Sequence, residues 1–318
     1  VKPSVHLLLV DPLGSFCNEV PAEEQQVVHD GELCVPGAAQ DMERVATLIE
    51  DPNLFDKIWV FRDQHPWLHI SHPCWFYTEN LEFPDPFTTI SLEAPKKGYA
   101  LADYKILGTA VSGEETYYSV DPEYHHWTVR YLQQVAKRVN KEGHPPHTIW
   151  PPHCLDGTPG AMVVPCVANA LLEWSETRRK VVSWIPKGQC PFVESHSGIE
   201  PVVPYPKFGM STGWINMRQD MVTFLLSEMH NADIVVVAGE AATHCVPATL
   251  DDIVAAFEEQ GVAMNFAQKC VLLTDAMSNV PGFEPQADEF LHRMALLGAR
   301  PMECDEFSIA IKEPNRLA

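Results

Sequence analysis

The chain has 318 residues, 46% of them hydrophobic and 20% charged, enough to bury a substantial core in one large domain or two small ones. Its 22 basic and 43 acidic residues leave a formal charge of −21, which disfavours nucleic acid or an anionic membrane as partner and leaves a small neutral molecule as the better fit. No apolar stretch reaches the roughly 18 residues of a membrane span, and the opening VKPSVHLLLVD lacks the basic region and small-residue cleavage site of a secretory signal, so a soluble, cytoplasmic protein is expected.

In chain order, short β-rich apolar runs occur at HLLLVD (6–11), KIWVFRD (57–63), KVVSWIP (180–186), DIVVVAG (233–239) and CVLLTDA (270–276). Runs of this kind are buried on both faces, as in a parallel sheet. Helical patterns lie between them. AAQDMERVATLIEDP (38–52) has acids early in the segment, and PATLDDIVAAFEEQG (247–261) has Pro near its start and Gly past its end. The interval 73–147 breaks the alternation: it is rich in Pro, Tyr, Glu and His, with one helix candidate in HWTVRYLQQVAKRVNKEG (126–143). It reads as an insertion or lid within a single domain spanning 1–318. The expected class is α/β, a doubly wound, mostly parallel sheet flanked by helices in three layers of Rossmann type, with active residues at the carboxyl ends of strands.

The nine cysteines (Cys17, Cys34, Cys74, Cys154, Cys166, Cys190, Cys245, Cys270 and Cys304) form no CxxC pair and do not resemble a disulfide framework. Free cysteine is among the most buried residue types, so most are expected to be reduced core residues. Cys245 stands apart. In GEAATHCVPATLDD it follows the apolar run by one tight turn and precedes a helix, while Asp11 closes the first run, Asp63 the second, and Lys187 follows the third. A strand-end Asp is often only a helix cap and a Lys is often only solvated. Together, at the ligand-binding end of an open α/β sheet, these four point to a site. A cysteine at a helix N-terminus beside an ammonium is biased towards the nucleophilic thiolate.

These segments resemble the isochorismatase-like cysteine hydrolases, and among them the nicotinamidase branch. The resemblance runs in order through LLLVDPLGSFC, GELCVPGAAQDMERVATLI, VFRDQHPWLHISH, WPPHCLDGTPGA, IPKG followed by ESHSGIE, VVVAGEAATHCVPATLDDIVAA and VLLTDAM. It implies that Asp11, Lys187 and Cys245 form an Asp-Lys-Cys triad hydrolysing a small aromatic carboxamide to acid and ammonia through a Cys245 thioester. It further implies oxyanion donors at the backbone N–H groups of Ala241 and Cys245, with a cis peptide before Ala241.

Asp63 and His65 lie at i and i+2, pointing the same way on an extended segment, and His153 comes from a distant loop. One carboxylate and two imidazoles suit a divalent transition metal, zinc foremost, with manganese or iron as alternatives. In the nicotinamidases this pattern holds the pyridine nitrogen of the substrate. By the same resemblance Phe16, Trp150, His69 and His196 are substrate-pocket residues, His69 in the pocket or just behind the ligands, whereas His72 has no clear counterpart.

Several positions depart from the family pattern. Leu13 and Ser15 stand where Gln and a second Asp are usual, Thr243 stands where many nicotinamidases have Asp, and His196-Ser197-Gly198-Ile199 replaces the usual YSAF segment. These changes bear on substrate identity. Three readings follow: a metal-assisted amidohydrolase of nicotinamide or a similar amide, a family hydrolase of a carbamoyl, ureido or other amide, and a noncatalytic binding or structural subunit. The expected partner is a small-molecule amide, with neither nucleic acid nor membrane, and the expected assembly is a homo-oligomer.

Overall fold

The computed structural model describes residues 2–18, 32–96, 100–142, 144–208 and 212–313. Its main sheet has six parallel strands: β1 (Val5–Val10), β2 (Lys57–Asp63), β7 (Ser183–Lys187), β8 (Ile234–Gly239), β9 (Cys270–Leu273) and β10 (Arg300–Met302), in the order β10-β9-β8-β1-β2-β7. The central strands are buried at every or nearly every residue because both faces are covered. Period-2 alternation divides their side chains. Val5, Leu7 and Leu9 of β1 enter one core, while Leu8 and Val10 enter the other.

The first core is closed by α2 (Ala38–Glu50), α4 (Pro165–Arg178) and α9 (Cys304–Lys312), through residues such as Val45, Leu171 and Phe307. The second is closed by α5 (Thr212–Asn231), α6 (Cys245–Glu258) and α8 (Glu284–Leu296), through Leu225, Ile253 and Phe290. The short helices α1 (Gly14–Cys17) and α7 (Ala263–Ala267) complete this doubly wound arrangement. Successive strands step from β1 to β2 to β7 on one side, and the chain then crosses to place β8 on the other side of β1. The strand order therefore reverses between β1 and β8. In open α/β sheets, the crevice at the carboxyl ends beside this switch point is where ligands bind.

A second sheet lies within and just beyond the interval 73–147. Strands β3 (Thr89–Glu93), β4 (Lys105–Thr109), β5 (Glu115–Tyr118) and β6 (His147–Thr148) pair antiparallel in the order β5-β4-β3-β6. With α3 (His125–Glu142) this sheet encloses a third core around Ile90, Ile106, Tyr131 and Leu132, to which Cys190, Phe192 and Val203 are added from the loop after β7. Composition alone does not indicate this sheet. Among the described residues, no helix is long and apolar enough to cross a membrane.

Candidate active site

The four strand ends singled out in the sequence converge. β1 runs into Asp11, β2 ends on Asp63, β7 ends on Lys187, and β8 leads through residues 240–244 to Cys245, the first residue of α6. The helix was expected from about Pro247; it starts two residues earlier, so the thiol sits on its first turn. Asp11 itself takes a left-handed conformation (φ 45°), uncommon for a residue with a side chain and found where the chain must turn a group into a site. Gly239 (φ 121°) permits the opposite wall, since a Cβ there would run into the Val10 carbonyl. The Glu240-Ala241 peptide is cis, in the place the sequence resemblance implied.

Lys187 binds these groups together. Its Nζ lies 3.0 Å from Asp11 Oδ2, 3.1 Å from Asp63 Oδ2 and 3.4 Å from Cys245 Sγ, and its side chain is fully buried. The register of β2 against β7 places Asp63 directly beside Lys187, and the Asp63 N–H donates to Asp11 Oδ1 at 2.9 Å. Burial pulls the ammonium down, but the carboxylates of Asp11 and Asp63 outweigh it and hold Lys187 well above its ordinary range. Burial pushes the Asp11 carboxyl up to about 6 despite Lys187 beside it. Burial likewise pushes the Cys245 thiol well above its usual value, against the pull of Lys187. Desolvation thus exceeds the helix and ammonium effects that favoured a standing thiolate, and holds the thiol towards its neutral form.

Beside the triad, imidazoles surround the Asp63 carboxylate. Its Oδ2 lies 3.1 Å from His65 Nε2 and 3.6 Å from His153 Nε2. The Nδ1 atoms of both rings face backbone carbonyls, Gly188 O at 3.2 Å and Pro151 O at 2.7 Å. A carbonyl only accepts, so each Nδ1 carries a proton and each Nε2 is the atom turned towards Asp63.

No family model matches the chain, and no curated protein matches it. Solved structures do. The yeast nicotinamidase superposes with a TM-score of 0.54, covering 94% of this chain and 99% of that one at 17% identity. The same yeast enzyme bound to the inhibitor nicotinaldehyde gives 0.53, covering 94% and 99% at 18% identity. A nicotinamidase and pyrazinamidase of Acinetobacter baumanii gives 0.51, covering 95% and 97% at 18% identity. The chain has the nicotinamidase fold.

Within this nicotinamidase fold, the donor atoms of Asp63, His65 and His153 lie within 4.8 Å of one another and all three residues are buried. Asp63 Oδ1 has no hydrogen-bond partner among the described residues. Gly188 (φ 74°) leaves the space beside it clear, because a Cβ there would meet that oxygen and the His65 ring. One anionic oxygen donor and two Nε2 lone pairs, with their Nδ1–H groups anchored on carbonyls, fit a divalent transition metal. His65, His69 and His72 form a second buried group with donors equally close. In that group the Ser71 N–H donates to His69 Nδ1 at 3.3 Å, which leaves the His69 proton on Nε2.

A small cavity opens beside Cys245, lined by Phe16, Trp150, His153, His196, Ala241 and Asp63 among others. Phe16, Trp150 and His196 thus lie where a pocket was expected. His69 does not: it is fully buried against His65, with ring centroids 4.4 Å apart, behind the cavity wall. The N–H groups of Ala241 and Cys245 make no hydrogen bond to a described acceptor, and both residues face the cavity. Ser15, read as a departure at the second Asp position, takes a positioning task. Its Oγ accepts the Cys154 N–H at 2.8 Å and donates to Glu32 at 2.7 Å, tethering the loop that carries His153.

Two polar cavity residues are not among those the sequence pointed to. Glu194 is buried, accepts the Ser195 N–H at 2.7 Å, and is held well below the usual carboxylate range because His196, His69 and His65 outweigh its desolvation. His244, next to Cys245, meets Trp150 edge-on at 5.3 Å and is kept neutral by burial, its value lowered to about 3. The signal for both was present in ESHS and THC, in polar residues adjoining motif positions.

Proposed function

We propose that the chain is a cysteine-dependent amidohydrolase of nicotinamidase type. The observation that carries this reading is the contact of Cys245 Sγ with Lys187 Nζ at 3.4 Å, with Asp11 3.0 Å from the same ammonium, at the wall of a small cavity. Asp11, with a carboxyl poised near 6, takes the thiol proton as Sγ attacks the amide carbon. Lys187 balances the negative charge passing from carboxylate to sulfur. The Ala241 and Cys245 N–H groups face the developing oxyanion. Collapse of the adduct breaks the C–N bond, Asp11 returns its proton to the departing ammonia, and Cys245 is left as a thioester. Asp11 then removes a proton from water, whose oxygen displaces the thiolate to give the carboxylic acid.

Asp63, His65 and His153 would hold a divalent transition metal, zinc foremost, which supplies a Lewis-acidic anchor for a ring nitrogen of the substrate. Phe16 and Trp150 give the cavity aromatic walls suited to a flat amide, and a yeast enzyme of this fold binds nicotinaldehyde as an inhibitor. Nicotinamide is therefore the first substrate to test.

A second reading has its own support. The buried Glu194 carboxylate lines the cavity together with His196 and His244. Acceptors of this kind favour a substrate with additional N–H donors, such as a carbamoyl or ureido compound. An ammonia-release screen over nicotinamide, pyrazinamide, carbamoyl compounds and ureido acids separates the two. Release from the pyridine and pyrazine amides supports the first reading, release only from the carbamoyl or ureido set supports the second, and no release from any contradicts both.

A further inference from the structure

Glu240 is a fully buried carboxyl on the residue immediately before Ala241. Its Oε2 accepts the Ser278 N–H at 3.2 Å, while its Oε1 meets no donor among the described residues, and Asp41 of α2 raises the pKa of its carboxyl. Ser278 completes the ring: its Oγ donates to Asp41 Oδ2 at 2.5 Å, and its carbonyl accepts the Ala242 N–H at 2.9 Å. Ser278 thus grips both neighbours of Ala241, Glu240 through its side chain and Ala242 through its backbone. Two buried carboxyls held by one serine, one of them with an oxygen that meets no donor, call for a proton between them. Arg44 lies 3.2 Å from Asp41 Oδ1, which places the negative charge on Asp41 and the proton on Glu240.

We propose that Glu240 is a positioning residue for the Ala241 N–H: a neutral carboxylic acid that donates to Asp41 and, with Ser278, fixes the two residues on either side of that donor. This rests on the hydrolase reading above and adds to it a part that the triad and the metal ligands do not supply.

The charged and titratable groups around Glu240 favour the neutral form. Asp41 faces it from α2, Asp11 from the end of β1 and Cys17 from α1, while Arg44 and Asp275 act on Asp41. Burial first, and then Asp41, push the Glu240 carboxyl well above its ordinary range. When the shared proton is finally lost at alkaline pH, two buried carboxylates oppose each other and the ring that holds Ala241 opens. Oxyanion stabilisation acts on the transition state and not on the bound amide, so the effect falls on kcat and not on KM.

The test is kcat and KM for ammonia release against pH, with the most active amide of the screen, for the wild type, Glu240→Gln and Glu240→Ala. Alkylation of Cys245 by iodoacetamide is measured in parallel. Glu240→Ala is expected to lower kcat by about 100-fold, the scale of one oxyanion donor, with KM and the alkylation rate within about threefold of wild type. Glu240→Gln can still donate to Asp41 and accept from Ser278 but has no proton to lose. It is expected to recover kcat to within about tenfold and to lack the wild-type alkaline limb. If Glu240→Ala does not fold, Asp41→Asn removes the opposing carboxylate and is likewise expected to abolish that limb. A Glu240→Gln or Asp41→Asn profile matching the wild type overturns the proposal, as does an Ala variant whose alkylation rate falls with kcat. A wild type that releases no ammonia from any amide overturns the hydrolase reading instead.

Discussion

Lys187 Nζ lies 3.1 Å from Asp63 Oδ2, and the same oxygen lies 3.1 Å from His65 Nε2. One carboxylate therefore serves both the Lys187 ion pair beside Cys245 and the candidate metal ligands. Lys187 is a buried cation placed between two buried acids, Asp11 and Asp63. Removing one member of such a cluster leaves its partners uncompensated, at a cost of about 3–5 kcal/mol. Lys187→Met, close in shape and without charge, is expected to lower stability by that amount, read as a lower urea midpoint. An unchanged midpoint would mean that the ammonium is not balancing the two acids.

His153 reaches the metal ligands from a loop tethered by Ser15, whereas Asp63 and His65 sit on or just past β2. Elemental analysis of protein purified without chelators is expected to find about one transition metal per chain, and His153→Ala to retain only a small part of it. Full occupancy in the variant would show that the ion sits elsewhere.

Gly239 closes β8 with a φ of 121°, and a Cβ at this position would overlap the Val10 carbonyl. Because that obstacle is backbone at the centre of the sheet, it has little room to yield. Gly239→Ala is expected to destabilise the fold by about 3 kcal/mol or more. A thermal midpoint equal to wild type would contradict the tight approach of the two strands.

His147 is buried between Tyr131 Oη (3.1 Å) and the Ile70 carbonyl (3.0 Å), and burial lowers its pKa to about 4. The unfolded chain takes up a proton at this residue below about pH 6.5, whereas the folded chain does so only near 4. Its contribution is therefore complete above pH 6.5 and is lost as pH falls towards 4, at about 1.4 kcal/mol per pH unit. Stability followed by urea denaturation should fall between pH 6.5 and 4.5, and His147→Gln, which has no proton to gain, should flatten that slope. Equal slopes would exclude His147 as the titrating group.

Asp11, Asp63, Lys187 and Cys245 were legible in the sequence because each adjoins an apolar strand whose pattern is local, and parallel strands bring their carboxyl ends together at one edge. The second sheet was not. TISLE, KILGT and ETYY are short and only partly buried, so alternation is faint and pairing depends on partners distant in the chain. For His69 the family resemblance allows the pocket or the layer just behind the ligands, and which of the two it takes is decided in three dimensions. Glu240 carries no local signal in the sequence, because the Asp41 and Ser278 that surround it come from other parts of the chain.

The central claim, that Cys245 is the nucleophile, is tested most directly by ammonia release from the most active amide of the screen, comparing the wild type with Cys245→Ala. The exchange removes one sulfur from a site whose packing otherwise remains, so the circular dichroism spectrum should not change. The account predicts a fall in turnover of about 10⁴-fold or more. Undiminished release by a folded Cys245→Ala chain would contradict it.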